Sequence, residues 1–254
     1  MLVYPSATAL SSSHLRFLAG QLAVRRQETG TQWRRLSAGK QALVVLAHLR
    51  CGDTYARLSS GFAIGIATAC RYVHEGVDVC AALAPTLQQA IQTATGKAFV
   101  IPDGPLLPID RVAADRPFFS GKHRRHGMNV QVITDPFGRV LWVSPALPGA
   151  VHDIKAARTH GIIDAPATAD VTCWADKGYQ GAGGTVHVPY RGRWKHLSHG
   201  QKAVNRAHAK IRAVGERAMA TLKNSRLLRK LRCSTTHITS TVQAVLTLHL
   251  NTPT

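Results

Sequence analysis

Acidic residues are scarce in this chain: 13 Asp and Glu stand against 32 Lys and Arg in 254 residues, a formal net charge of +19. Cysteine is scarce as well. The five present (Cys51, Cys70, Cys80, Cys173, Cys233) are scattered, odd in number and without a C-x-x-C pair. That pattern argues against a disulfide framework and against a cysteine zinc site, and a reducing cytoplasm is the expected setting. No run of about 18 apolar residues occurs, which excludes a spanning helix and any membrane partner that needs one. Residues 1–10 lack the basic flank ahead of a long apolar core that marks a secretory leader. Internal repeats and low-complexity segments are absent. What is present, 45% hydrophobic and 18% charged residues, is a globular composition that excludes wholesale disorder. The length fits one large domain or two small ones.

The charge is unevenly spread. Residues 1–100 carry 10 basic and 4 acidic side chains, residues 101–176 carry 8 and 8, and residues 177–254 carry 14 and 1. Two basic flanks enclose a neutral middle, and a basic surface of this size attracts polyanions, nucleic acid first among them.

The first hundred residues read as helical. Residues 37–50 have apolar side chains at helical spacing, and a short helix starting near Asp53 leads through Gly61 and Gly65 into a second helix over residues 66–74. A short helix, a glycine-containing turn and a second helix outline a helix-turn-helix. On the second helix Ala69, Val73 and Ile66 are expected to face the core, leaving Thr68, Arg71 and Tyr72 for a groove. Near Lys97 the pattern changes. Residues 98–102 form a short apolar run, and residues 129–134 and 139–144 alternate on either side of Asp135-Pro136-Phe137-Gly138, a strong turn tetrapeptide. A hairpin is expected there, then a helix over 152–160, strands over 171–175 and 185–188, and a long helix over 198–229. The apolar stripe of that helix is Val204, Ala207, Ile211, Val214, Ala218 and Leu222. The expected fold class is α/β, preceded by a small all-α domain, with the boundary between residues 92 and 93.

Two aspartates share a context: Asp103 ends one apolar run before Gly104, and Asp176 ends another before Lys177-Gly178. In α/β sheets the carboxyl ends of strands line the functional crevice, and paired carboxylates suit hard divalent cations. Taken alone, either dipeptide is more commonly just the start of a turn. Glu216 is the one acid between residues 177 and 254. It lies roughly 160° around the helix from the apolar stripe, near Arg212 and Lys223. It therefore either pairs with Arg212 in solvent or faces a cleft. Residues 122–126, Lys-His-Arg-Arg-His, form a basic loop suited to phosphates. Asp153 is read as a helix cap. Trp194, between Arg193 and Lys195, suits base stacking or partial burial.

Taken in order, several segments resemble the DDE transposase superfamily, in particular bacterial insertion-sequence transposases of the DDE superfamily endonuclease type. They are Ile101-Pro102-Asp103-Gly104, residues 120–127, Pro148-Gly149 with His152-Asp153, Ala175-Asp176-Lys177-Gly178-Tyr179-Gln180 and residues 212–217. Residues 41–50 and 61–73 resemble the family's N-terminal module. The resemblance implies an RNase H-like catalytic fold over residues 93–254, mixed sheet flanked by helices, behind a helix-turn-helix over 1–92. It implies two divalent ions, Mg²⁺ or Mn²⁺, held by Asp103, Asp176 and Glu216 as the catalytic carboxylates. It implies cleavage of transposon ends and strand transfer into target DNA; a decayed, non-catalytic DNA binder and a nuclease without transposition are the alternatives. The expected partner is double-stranded DNA, both terminal inverted repeats and target, bound by a dimer in the bacterial nucleoid. Thr68, Arg71 and Tyr72 would contact it from the helical module, Lys122, Arg124 and Arg125 from the basic loop, and Lys177, Arg212 and Lys223 from the basic C-terminal third. The family usually has Asp-Gly-Thr at the first carboxylate; here Pro105 follows Gly104, removing a backbone donor.

Overall fold

A computed structural model describes residues 12–31, 34–110 and 116–251; residues 1–10, read above for a leader, lie outside them. The chain divides into two units, residues 1–84 with 222–254, and residues 85–221.

Hydroxyl caps start the helices of the first unit. After α1 (Ser12–Glu28), Ser37 accepts from Lys40 N and opens α2 (Ala38–Leu46), which continues through a π-helical turn to Gly52. Thr54, not Asp53, caps α3 (Tyr55–Phe62), accepting from Arg57 N; Asp53 takes an ion pair with Arg57 at 3.2 Å. The turn into α4 (Ile66–Ala82) uses a left-handed residue, but it is Ala63 (φ 51°) rather than a glycine. Ser59 Oγ donates to Ile64 O at 2.6 Å, and Ile64 is buried beneath the turn. Leu18, Leu22, Val45, Leu46, Leu58, Val73 and Val77 form the interior together with Ile238, Val242 and Val245 of the C-terminal helix, Thr235–Leu250. Thr247 Oγ1 of that helix donates to Cys80 O at 2.8 Å. Each fully buried aliphatic side chain contributes about 1.5–3 kcal/mol. The two units therefore do not follow a single cut at residue 92: the C-terminal helix joins the N-terminal helices, because its buried apolar face has α4 to cover it.

In the second unit, α5 (Leu87–Ala94) is started by a reciprocal Thr86–Gln89 capping box and buries Ala90, Ile91 and Ala94 in a cluster with Leu141 and Trp142. β1 (Ile101–Asp103) is followed by β2 (Leu106–Pro108), β3 (Phe119–Ser120), β4 (Arg125–Asn129), β5 (Val132–Thr134), β6 (Val140–Val143) and β7 (Leu147–Pro148). The expected hairpin is β5–β6: Asp135 Oδ1 accepts from Phe137 N and Arg139 N, and Gly138 N closes the turn on Asp135 O. Arg125 and His126, read as part of a basic loop, belong to strand β4, which pairs with β2, β3 and β7. Pro105 falls where the chain passes from pairing with β5 to pairing with β4, and its carbonyl accepts from Val130 N.

α6 (Asp153–Thr159) and α7 (Asp164–Thr168) lead to β8 (Cys173–Trp174) and β9 (Val186–His187). A parallel bridge between Val100 and Cys173 joins β8 to β1, so the central order is β6–β5–β1–β8–β9, antiparallel on one side and parallel on the other. This is a mixed sheet flanked by helices, as the resemblance implied. α8 (His199–Leu222) ends before residue 229. Its buried line is His208, Gly215, Ala218, Met219 and Leu222, while Val204 of the expected stripe is exposed.

Candidate active site

Parallel register places the two aspartates. Asp103 lies three residues beyond Val100, Asp176 three beyond Cys173, and Val100 and Cys173 are bridge partners. Neighbouring strands run about 4.8 Å apart, so the two carboxylates leave the sheet side by side. Each is oriented by its own backbone: Gly104 N donates to Asp103 Oδ1 at 3.0 Å, and Gly178 N to Asp176 Oδ1 at 2.7 Å.

A third carboxylate sits with them, and it is Asp153, at the first turn of α6. Its Oδ1 accepts from Asn129 Nδ2 at 2.9 Å and its Oδ2 from Lys122 Nζ at 2.7 Å. Lys122 Nζ also lies 3.5 Å from Asp176 Oδ2. Behind Asp153 runs a buried relay: Tyr179 donates to Gln131 Oε1, Gln131 Nε2 to Asn129 Oδ1, and Asn129 onward to Asp153. Its carboxylate serves Asn129 and Lys122 rather than capping α6. The signal available in the sequence was Gly104 and Gly178, whose missing side chains leave room for it.

The electrostatics follow from burial. Burial pushes the Asp103 carboxyl above the ordinary carboxylate range; Arg212 opposes this, while Asp176 and Asp153 add to it. Burial lowers the Lys122 ammonium, yet the hydrogen bond and charge of Asp153, then Asp176 and Asp103, carry it above its usual value. Tyr179 is pushed well above its usual value by burial first and then by the three aspartates, so its hydroxyl stays a donor.

Glu216 is not gathered into this cluster. Its side chain is 64% exposed and pairs with Arg212 at 3.5 Å. Its helix nevertheless passes over the site: a Cβ on Gly215 would lie 3.0 Å from Ile101 Cγ2. His208 fixes the register of α8, its Nε2 lying 2.7 Å from Ala175 O, the residue before Asp176. Burial depresses the His208 pKa, so a neutral imidazole donates that bond. Among the described residues no group of three or more His, Cys, Asp or Glu side chains is arranged to hold a metal ion. The donor chemistry still suits a hard cation. The carboxylates are all-oxygen, two of them are oriented by N–H groups, and they already hold the Lys122 ammonium at Asp153 and Asp176.

The other expected contact residues divide. Arg124, Arg125 and Lys177 are exposed, and Lys122 is half-exposed over the carboxylates. Arg212 is partly buried against Glu216, and Lys223 is partly exposed. In the helical unit Arg71 is exposed and donates to Thr68 Oγ1 at 3.4 Å. Tyr72 does not face a groove. It is buried, with its hydroxyl accepting from Leu36 N, because the α4 surface that carries it is covered. Ile66, assigned to the core, is exposed. Trp194 is half-exposed, with Lys202 and Arg206 over its ring at 5.9 and 5.5 Å.

The chain thus combines a mixed α/β unit, with aspartates at adjacent parallel strand ends, and a helix-turn-helix. Family models agree. Residues 102–250 match that of the DDE superfamily endonuclease, and residues 34–86 match the helix-turn-helix of DDE superfamily endonuclease. The chain belongs to the DDE superfamily endonucleases, and the order of the two domains fits a DDE-superfamily transposase. Both domains imply binding to DNA. No curated protein and no solved structure matches the chain. Among the described residues no helix is long and apolar enough to cross a membrane.

Proposed function

We propose that this protein is a transposase that cuts the ends of a mobile DNA element and joins them to target DNA with the help of Mg²⁺ or Mn²⁺. The observation that carries the reading is the register of Asp103 and Asp176, set side by side by the Val100–Cys173 bridge. Asp103 and Asp176 would hold the divalent ions, with Glu216 as the third carboxylate, brought in from α8 as it exchanges Arg212 for the site. Bound divalent ions supply an activated water or 3′-hydroxyl and stabilise the departing oxygen.

The remaining roles belong to the chain. The N–H groups of Gly104 and Gly178 keep the two aspartates aimed. Lys122, Arg124, Arg125 and Lys177 meet phosphates beside the carboxylates, and Arg212 and Lys223 meet them farther along the basic third. Thr68 and Arg71 contact the element ends from the helical unit. Two ends must be brought together, so a dimer on DNA is the expected assembly, in the cytoplasm at the nucleoid. Binding that rests on this many cations weakens steeply with salt.

The test uses duplex DNA carrying the inverted repeats that flank the coding sequence. Wild type cleaves it only with divalent metal, and Asp176→Asn does not; equal cleavage by both overturns the reading. The pairing of Glu216 with Arg212 favours a second reading, a DNA-binding protein without cleavage. Tight binding to the same duplex with no cleavage under Mg²⁺ or Mn²⁺ would establish it. Cleavage without strand transfer of a pre-cut end would identify a nuclease.

A further inference from the structure

We propose that Lys122 is a built-in counter-cation, a positioning residue whose ammonium holds the carboxylates together without metal and must be displaced when a divalent ion binds. This rests on the reading that Asp103 and Asp176 take divalent ions. The ammonium lies 2.7 Å from Asp153 Oδ2 and 3.5 Å from Asp176 Oδ2, so one cation bridges two acidic side chains that are 7% and 15% exposed. Three nearly buried carboxylates in one place repel one another and each is costly to desolvate. A positive charge among them offsets that repulsion, and without metal Lys122 supplies it at Asp153 and Asp176.

The ammonium is delivered by a fixed structure with a loose end. Lys122 sits in the turn between β3 and β4, closed by Arg124 at a φ of 51°. The base of that hairpin is pressed against Gly149, where a Cβ would lie 2.4 Å from Gly127 O and 2.6 Å from Phe118 O. The Lys122 side chain itself is half exposed, on a flexible four-carbon stem. It can thus withdraw without disturbing the strands. Asp153 keeps its Asn129 bond when it does. A divalent ion and the ammonium compete for Asp176 Oδ2, and the released lysine is left beside the site to meet a phosphate. Exchange of one cation for another keeps the charge of the pocket nearly balanced whether or not metal is bound.

Thermal melting against Ca²⁺ or Mg²⁺ concentration tests the competition without requiring turnover. In Lys122→Gln the concentration giving half of the metal-induced shift falls about three- to fivefold, the scale of one partly exposed ion pair; Lys122→Arg does not show this fall. Unchanged or weakened metal response in Lys122→Gln overturns the proposal. Asp176→Asn separates it from the broader reading. If Asp176→Asn leaves the wild-type shift intact, metal does not bind at these carboxylates and both fail. If Asp176→Asn abolishes the shift but Lys122→Gln matches wild type, only the role of Lys122 fails. A second measurement needs no variant. Acylation of Lys122 in the wild-type chain, followed by mass spectrometry with Lys177 as reference, accelerates severalfold on adding Ca²⁺. An unaltered rate overturns the displacement.

Discussion

Gly104 and Asp153 are pressed together so closely that a Cβ on Gly104 would lie 2.4 Å from the Asp153 Oδ1 and 2.6 Å from Gln131 Nε2. Gly178 repeats the relationship from the other side, where a Cβ would lie 2.9 Å from Asp153 Oδ2. One buried carboxylate is thus wedged between the two dipeptide turns that present Asp103 and Asp176. Both glycines are required by space rather than by backbone angle, since neither has a positive φ.

Gly104→Ala should therefore cost stability and activity together. Forcing a methyl group into a filled buried site costs about 1–3 kcal/mol, and here the displaced atoms are the carboxylate and amide of the relay. Thermal melting should drop, and DNA cleavage should fall further than stability explains, because Asp103 moves with Gly104. A variant that melts like wild type would show that Asp153 does not occupy this space.

Asp153→Asn and Glu216→Gln should behave oppositely. Glu216 is largely exposed, so its neutralisation changes stability by within about 0.5 kcal/mol. As the proposed third carboxylate, its loss should still reduce cleavage about a hundredfold or more, the scale on which one charge-stabilising group acts. Asp153→Asn leaves one acceptor oxygen for the two donors Asn129 and Lys122 and takes one charge from a buried network, costing about 1–3 kcal/mol. Unfolding and cleavage measured on both variants would reverse the assignment if Glu216→Gln cleaves normally while Asp153→Asn is folded and inactive.

Ala63 holds the turn between α3 and α4 in a left-handed conformation that costs an L-residue roughly 1–2 kcal/mol. Ala63→Gly should recover part of this, raising the melting temperature by about 2–4 °C for a chain of this size. DNA binding should be retained, because Arg71 and Thr68 are not altered. A lower melting temperature would show that the turn is not strained at Ala63.

What the sequence made legible was local. Asp103 and Asp176 each end an apolar run before a turn, and parallel register then carries them together. Asp135 announced its hairpin. What it hid was long-range. Asp153 depends on Asn129 and Lys122, 24 and 31 residues away, and nothing near position 153 marks those partners. Tyr72 reads as a groove residue when α4 is taken alone, and its burial is a tertiary fact. The apolar face of the C-terminal helix likewise carries no mark of the unit it joins. On α8 the expected aliphatic stripe holds at Ala218 and Leu222, but toward its start the buried side passes through His208 and Gly215 rather than Val204. The small Gly215 lets the helix approach Ile101, and His208 finds the Ala175 carbonyl.

The pH dependence of stability should isolate Asp103. Burial raises its carboxyl above the unfolded value of about 4, with Asp176 and Asp153 adding to the shift. A raised carboxyl favours the protonated form in the folded state. Its contribution is fully present below about pH 4 and is lost as pH rises through the folded value. Asn at this position is neutral throughout and close in shape. In chelator, Asp103→Asn should therefore melt near wild type at acid pH and above it at pH 7–8. Added Mg²⁺ should stabilise wild type and leave the variant unchanged, inverting the order. If wild type in chelator stays as stable as Asp103→Asn at pH 7–8, Arg212 outweighs burial at this carboxylate. The site would then be organised around an ion pair on α8 rather than around a desolvated acid waiting for a cation.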